Sequence, residues 1–171
     1  PFAGKVGELY APSRDQEKAK EYLATALSEL GCTVDDLSAH LSIDCGDSPT
    51  SIAEASFYQE QWRQVLGIEV AVNSMITKQG SQNRKTGNYV MSITGWGPDY
   101  NDPNTFLDMW VTDGGNNQTG FSNERYDELI DLASKETDLE KRESYFIECE
   151  QIIADQLPIG PSFWRAPSYA C

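Results

Sequence analysis

Two strand-like segments joined by one helix, all within residues 41–72, constrain the fold of this chain more than any other feature. Leu41, Ile43 and Cys45 alternate with Ser42 and Asp44, the period-two pattern of a half-buried strand. Gly46 to Pro49 read as a turn, and Ser51 with Glu54 fits a capping box. The next residues put Ala55, Tyr58, Trp62 and Val65 on one helical stripe that stops at Gly67, after which Ile68, Val70 and Val72 begin a second strand. Strand, crossover helix and strand in this order make a β-α-β unit, and right-handed crossover sets its strands parallel.

The flanking sequence extends that unit. Residues 15–30 repeat Ala19, Tyr22, Leu23, Ala26, Leu27 and Leu30 at helical spacing, with Gly31 as the stop. The polar run TKQGSQNRKTG over 77–87 predicts at most a short, weak helix. Tyr89 to Thr94 read as a third strand, apolar enough to be central, broken by Gly95, Gly97 and Pro98. A helix over 126–135 turns Tyr126, Leu129, Ile130 and Ala133 inward. Thr137 and Glu140 offer a second capping box, and a last helix aligns Tyr145, Phe146, Cys149, Ile152 and Ile153 before Pro158 ends it. Ser162 to Ala166 look like a final strand. With no internal repeat and no low-complexity linker, residues 1–171 predict a single α/β domain.

Charge narrows the partners. The 27 acidic and 13 basic side chains give a net charge of −14. Phosphate backbones and anionic membrane surfaces require clustered Lys and Arg, so nucleic acid and lipid headgroups are poor partners. No apolar run approaches the roughly 20 residues of a membrane span. The chain begins at Pro1 without Met or a signal sequence and ends at Cys171, and the expectation is a piece of a longer protein.

Few residues offer chemistry. Cys32, Cys45, Cys149 and Cys171 form no C-x-x-C, and one histidine, His40, completes no zinc set. Cys45 and Cys149 fall on apolar faces, as buried thiols do. His40 precedes a strand and reads as solvated, and no G-x-S-x-G elbow supplies a nucleophile for it. Asp99, Asn101 and Asp102 resemble the start of a calcium loop but lack its glycine and its closing glutamate. Trp62, Trp110 and Trp164 lie among apolar neighbours and read as core.

The most unusual stretch follows the third strand: Gly95-Trp96-Gly97-Pro98-Asp99-Tyr100-Asn101-Asp102-Pro103. Ligands of open α/β sheets bind beyond the carboxyl ends of strands. Two glycines around a Trp would let another backbone approach an indole wall, and Asp99 would bring a carboxylate to a ligand cation. The same residues also fit an ordinary strand-to-helix loop, with Asp102 capping a helix that starts near Asn104. Spacing alone does not choose between the two.

GWGPDYNDPNTFLDMW (95–110) followed by NNQTGFSNERYDELI (116–130) resembles the signature stretch of the oligopeptide- and dipeptide-binding proteins of ABC importers, the family 5 extracellular solute-binding proteins. DQEKAKEYLATAL, EQWRQVLGIEV and EQIIADQLPIGPSFWRA continue the resemblance in order along nearly the whole chain. It implies one lobe of a periplasmic-binding-protein-like type II fold, a mixed sheet flanked by helices, taken from the C-terminal lobe of a two-lobed clamp. It implies a binding protein and not an enzyme, with no cofactor, secreted to the periplasm or the outer face of the membrane and held there by a lipid anchor outside this segment. Its partners would be a peptide and the membrane subunits of the importer. The alternative solute on the same fold is a heme, metal chelate or sugar. By the same resemblance Asp99 pairs with the ligand's α-ammonium, and the main chain of Gly95, Trp96 and Gly97 pairs with the extended peptide. The basic residue that some oligopeptide binders carry two positions before the first motif Gly is Ile93 here, so that charge is missing.

Overall fold

The structure is a computed structural model describing residues 15–163. These residues divide into two compact units, 15–98 and 99–163.

In the first unit, helix α1 (Gln16–Leu30) is capped by Asp15, whose carboxylate accepts the Lys18 N–H, and ends at Gly31 in the left-handed region, φ 64°. The long apolar stripe read from the sequence is covered only in part. Tyr22 and Leu30 are 64% and 66% exposed. The helix packs mainly against the helix at Pro49–Leu66, so only a narrow strip around Leu23 reaches the core. A short helix α2 (Val34–Ser38) then starts from a Thr33–Asp36 capping box.

Strand β1 (Ser42–Gly46), helix α3 (Pro49–Leu66) and strand β2 (Ala71–Met75) form the expected parallel unit, in register Ile43↔Val72 and Asp44↔Asn73. Helix α3 starts three residues earlier than the capping box Ser51–Glu54 predicts. Ser48 accepts the Ser51 N–H, and Pro49 occupies the first helical position, where its missing N–H costs nothing. Ala55 is fully buried on α3, and Tyr58, Trp62 and Leu66 pack with it against Ile43, Cys45, Ile68 and Val70. Ile68 and Val70 are buried but precede the ladder, which begins at Ala71.

Helix α4 (Thr77–Lys85) confirms the short polar helix. Strand β3 (Met91–Ser92) is parallel to β1 but lies at the sheet edge in the order β2-β1-β3, and β1, not β3, is central. The apolar richness of 89–94 has another explanation: Met91 and Ile93 reach the core, while Val90 is 52% exposed. Asp44 corrects the half-buried reading of β1. It is only 5% exposed, because α4 covers that face of the sheet.

The second unit contains α5 (Asn104–Leu107), a 3₁₀ turn at Asp108–Trp110, α6 (Glu124–Lys135) and α7 (Leu139–Gln156). Asn123 caps α6 through the Tyr126 N–H. Asp138 caps α7 through the Lys141 N–H, in place of the expected Thr137–Glu140 box. The reason is local: Glu136 accepts the N–H groups of Thr137 and Asp138, leaving Asp138 as the last residue before the helix. Leu107, Tyr126, Leu129, Ile130, Ala133, Phe146, Cys149 and Ile153 form the core of this unit. Each large side chain sealed there contributes about 1.5–3 kcal/mol. Leu157 ends α7 at φ 46°, just before Pro158. The expected strand at Ser162–Ala166 runs into residues outside the described ones, as do Trp164 and Cys171.

Candidate functional site

From Thr94 to Asn101 every residue is exposed. Strand β3 has already ended at Ser92, and Gly95, Gly97 and Pro98, with little packing and no N–H at Pro98, do not resume it. Trp96 is 41% exposed, so its indole is not core in this unit. Neither Gly95 nor Gly97 has a positive φ, and a Cβ built on either meets no atom within 4 Å. Nothing among the described residues therefore demands glycine at these positions.

Asp99 opens the second unit. Its backbone N–H donates to Thr105 Oγ1 at 3.1 Å, and Thr105 is only 2% exposed. Its side chain faces solvent, and no described residue makes a hydrogen bond or ion pair with the carboxylate. Asp102, three residues on, has the opposite environment. Arg142 on α7 donates to both its oxygens, Nη1 at 2.7 Å and Nη2 at 2.9 Å, and the Asn104 N–H donates at 2.9 Å. The guanidinium holds the Asp102 carboxyl below the usual aspartate range. The N–H of Asn104 confirms Asp102 as the turn that starts α5.

Arg142 makes two further contacts: Nε donates to Ala133 O at 3.0 Å, and the guanidinium lies 4.6 Å from the ring centre of Phe146. Asn104 Nδ2 bridges Tyr100 Oη and Asp108 Oδ2, while its buried Oδ1 has no hydrogen-bond partner among the described residues. Asn117 organises the loop before α6 by donating to the carbonyls of Val111 and Phe121 at 3.0 and 2.8 Å. Sequence reading missed Arg142, Thr105 and Asn117. Asn117 stands in a polar loop with no pattern that marks it, and the partner of Arg142 lies forty residues away.

The other candidates remain apart. His40 is exposed, with Nδ1 2.9 Å from Asp36 O. Among the described residues no group of His, Cys, Asp or Glu could hold a metal ion. Trp62 and Trp110 pack, half-buried, against the two cores. Cys45 and Cys149 are buried and unpaired. A second feature, unforeseen from sequence, is a polar concavity of about 440 Å³ lined by Ser42, Asp44, Asn73, Asn83 and Tyr89. Asn73 and Asn83 each donate to one Asp44 oxygen at 3.2 Å.

The sequence profile of the bacterial extracellular solute-binding proteins, family 5 (middle region), matches residues 2–118. The chain belongs to this family. It is 34% identical over 170 residues to the oligopeptide-binding protein OppA of Bacillus subtilis, covering 95% of this chain and 30% of that protein. It is 37% identical over 128 residues to a dipeptide-binding protein of Lactococcus lactis, covering 74% of this chain and 23% of that protein. The chain therefore spans less than a third of the length of these relatives. A crystal structure of a peptide-binding protein of a peptide ABC transporter superposes with a TM-score of 0.80 at 29% identity, over 92% of this chain and 68% of that one. The small parallel sheet with its helices is thus the periplasmic-binding-protein fold of peptide-binding proteins.

Proposed function

We propose that this chain is part of the C-terminal lobe of a family 5 substrate-binding protein that captures oligopeptides or dipeptides outside the cytoplasm for an ABC importer. The observation that carries the proposal is Asp99: an exposed carboxylate, engaged by no described residue, directly after Gly95-Trp96-Gly97-Pro98. A free carboxylate in that position suits the α-ammonium common to all unblocked peptides, and closure over the ligand strengthens such a charge-assisted bond. Main chain at Gly95, Trp96 and Gly97 would pair with the peptide backbone, a mode blind to side-chain identity. The names of the relatives, oligopeptide- and dipeptide-binding, support a peptide over a heme, metal chelate or sugar.

In this reading residues 1–171 belong to one lobe of a two-lobed clamp, and hinge closure produces the form read by the importer's membrane subunits. The protein acts by capture and carries out no chemical step. It works in the periplasm or at the outer cell surface, tethered by a lipid outside this segment. Calorimetry of the full-length protein with a peptide mixture, wild type against Asp99→Ala, tests the site. Weaker binding by the variant supports the reading, and equal affinity removes Asp99 from it.

A further inference from the structure

The segment that carries Asp99 has almost no regular structure to hold it. Its nearest element, α5, has four residues and cannot stand alone. Besides the Tyr100–Asn104–Asp108 hydrogen bonds, two links tie the segment down. One is the Asp99 N–H to the buried hydroxyl of Thr105. The other is Asp102, whose two oxygens are held by the planar fork of Arg142. Arg142 is itself fixed on three sides. Its Nε–H satisfies Ala133 O, a last-turn carbonyl of α6 with no helical partner, and its flat face lies over Phe146, which is 1% exposed in the α6–α7 core. The rigidity of that core therefore reaches Asp102 through Arg142. The same pairing occupies the charge of Asp102, so two carboxylates three residues apart do not compete for one cation.

We infer that Arg142 is a positioning residue for ligand amine recognition: through Asp102 it fixes the backbone that presents Asp99, and it neutralises the neighbouring carboxylate. This rests on the reading of Asp99 as the ammonium partner. A lysine cannot replace it, because an ammonium has no fork to span both oxygens while also reaching Ala133.

The test uses the full-length protein and alanine tri- and pentapeptides, each with a free and an N-acetylated amine. In the wild type the free amine should bind about tenfold or more tighter than the acetylated form, the worth of a charge-assisted bond. Arg142→Lys should cut that preference several-fold while leaving the affinity for the acetylated peptides unchanged. In an Asp99→Asn background, which has already lost the preference, Arg142→Lys should add nothing. Asp102→Asn, which removes the same link from the other side, should behave like Arg142→Lys and provides the readout if Arg142→Lys misfolds. If both variants weaken free and acetylated peptides equally, Arg142 is merely structural and the inference falls. If Asp99→Asn abolishes the amine preference while Arg142→Lys and Asp102→Asn retain it, Arg142 alone is overturned. A wild type indifferent to acetylation overturns the reading of Asp99, and the inference with it.

Discussion

The hydroxyl of Tyr126 donates to the carbonyl oxygen of Leu107 at 2.6 Å, with Tyr126 wholly buried. The bond joins α6 to the end of α5, so the segment following the glycine-rich motif is anchored from inside the core. Burial pushes the phenol far above its ordinary pKa, and it stays a neutral donor throughout the accessible pH range. Tyr126→Phe keeps the edge-to-face contact with Phe121 but removes this bond to the carbonyl that also opens the 3₁₀ turn. The expected cost is about 0.5–1.5 kcal/mol, read as a lower urea midpoint with an unchanged slope.

Acid should weaken the second unit through Asp102. Its folded pKa lies below the ordinary 3.8, chiefly because Arg142 donates to it. A group with a depressed folded pKa contributes stability above its unfolded pKa and loses it as pH falls through the folded value. Wild type should therefore be more stable than Asp102→Asn at neutral pH, and the gap should close below about pH 4. Denaturant titrations from neutral pH down to strongly acidic buffer would reveal it, and a pH-independent gap would rule out the ion pair as its source.

The cysteines should separate by reactivity. Cys149 is fully buried, and burial pushes its thiol up to about 12. Cys45 is 4% exposed and is also raised, chiefly by burial. Thiolate is the reacting form, so both should resist alkylation at mildly alkaline pH, while the half-buried Cys32 reacts before either of them. Peptide mapping after timed iodoacetamide treatment gives the order, and denaturant should erase it.

The start of α3 can be checked by two alanines. Ser48→Ala removes the oxygen that accepts the Ser51 N–H and should cost about 1 kcal/mol. Ser51→Ala lies inside the helix, where alanine is the better helix former, and should cost less. The reverse order in thermal melts would restore the cap expected from the sequence.

These caps show where the sequence is legible and where it is not. Element order, the parallel β-α-β unit and the stops at Gly31 and Gly67 follow from periodicity and from glycine's access to positive φ. Cap positions slip because several Ser, Thr and Asp residues compete within three positions, and the deciding neighbours act in ways no cap motif encodes, Pro49 by its missing N–H and Glu136 by a carboxylate that takes two backbone N–H groups. The edge position of β3 and the burial of Asp44 depend on which elements cover each face of the sheet, which period-two patterns do not encode. At the candidate site, the motif singled out Asp99 by its place in the sequence, and the structure leaves it exposed. Its supports were invisible because Arg142 reaches Asp102 from forty residues away.

Open space beside Gly95 and Gly97 has a practical consequence. A methyl group added at either position meets no neighbour and no forbidden backbone angle, so the chain should accept it without protest. Among the described residues nothing keeps these two positions bare, and the pair becomes a gauge of how closely a visiting molecule presses against it.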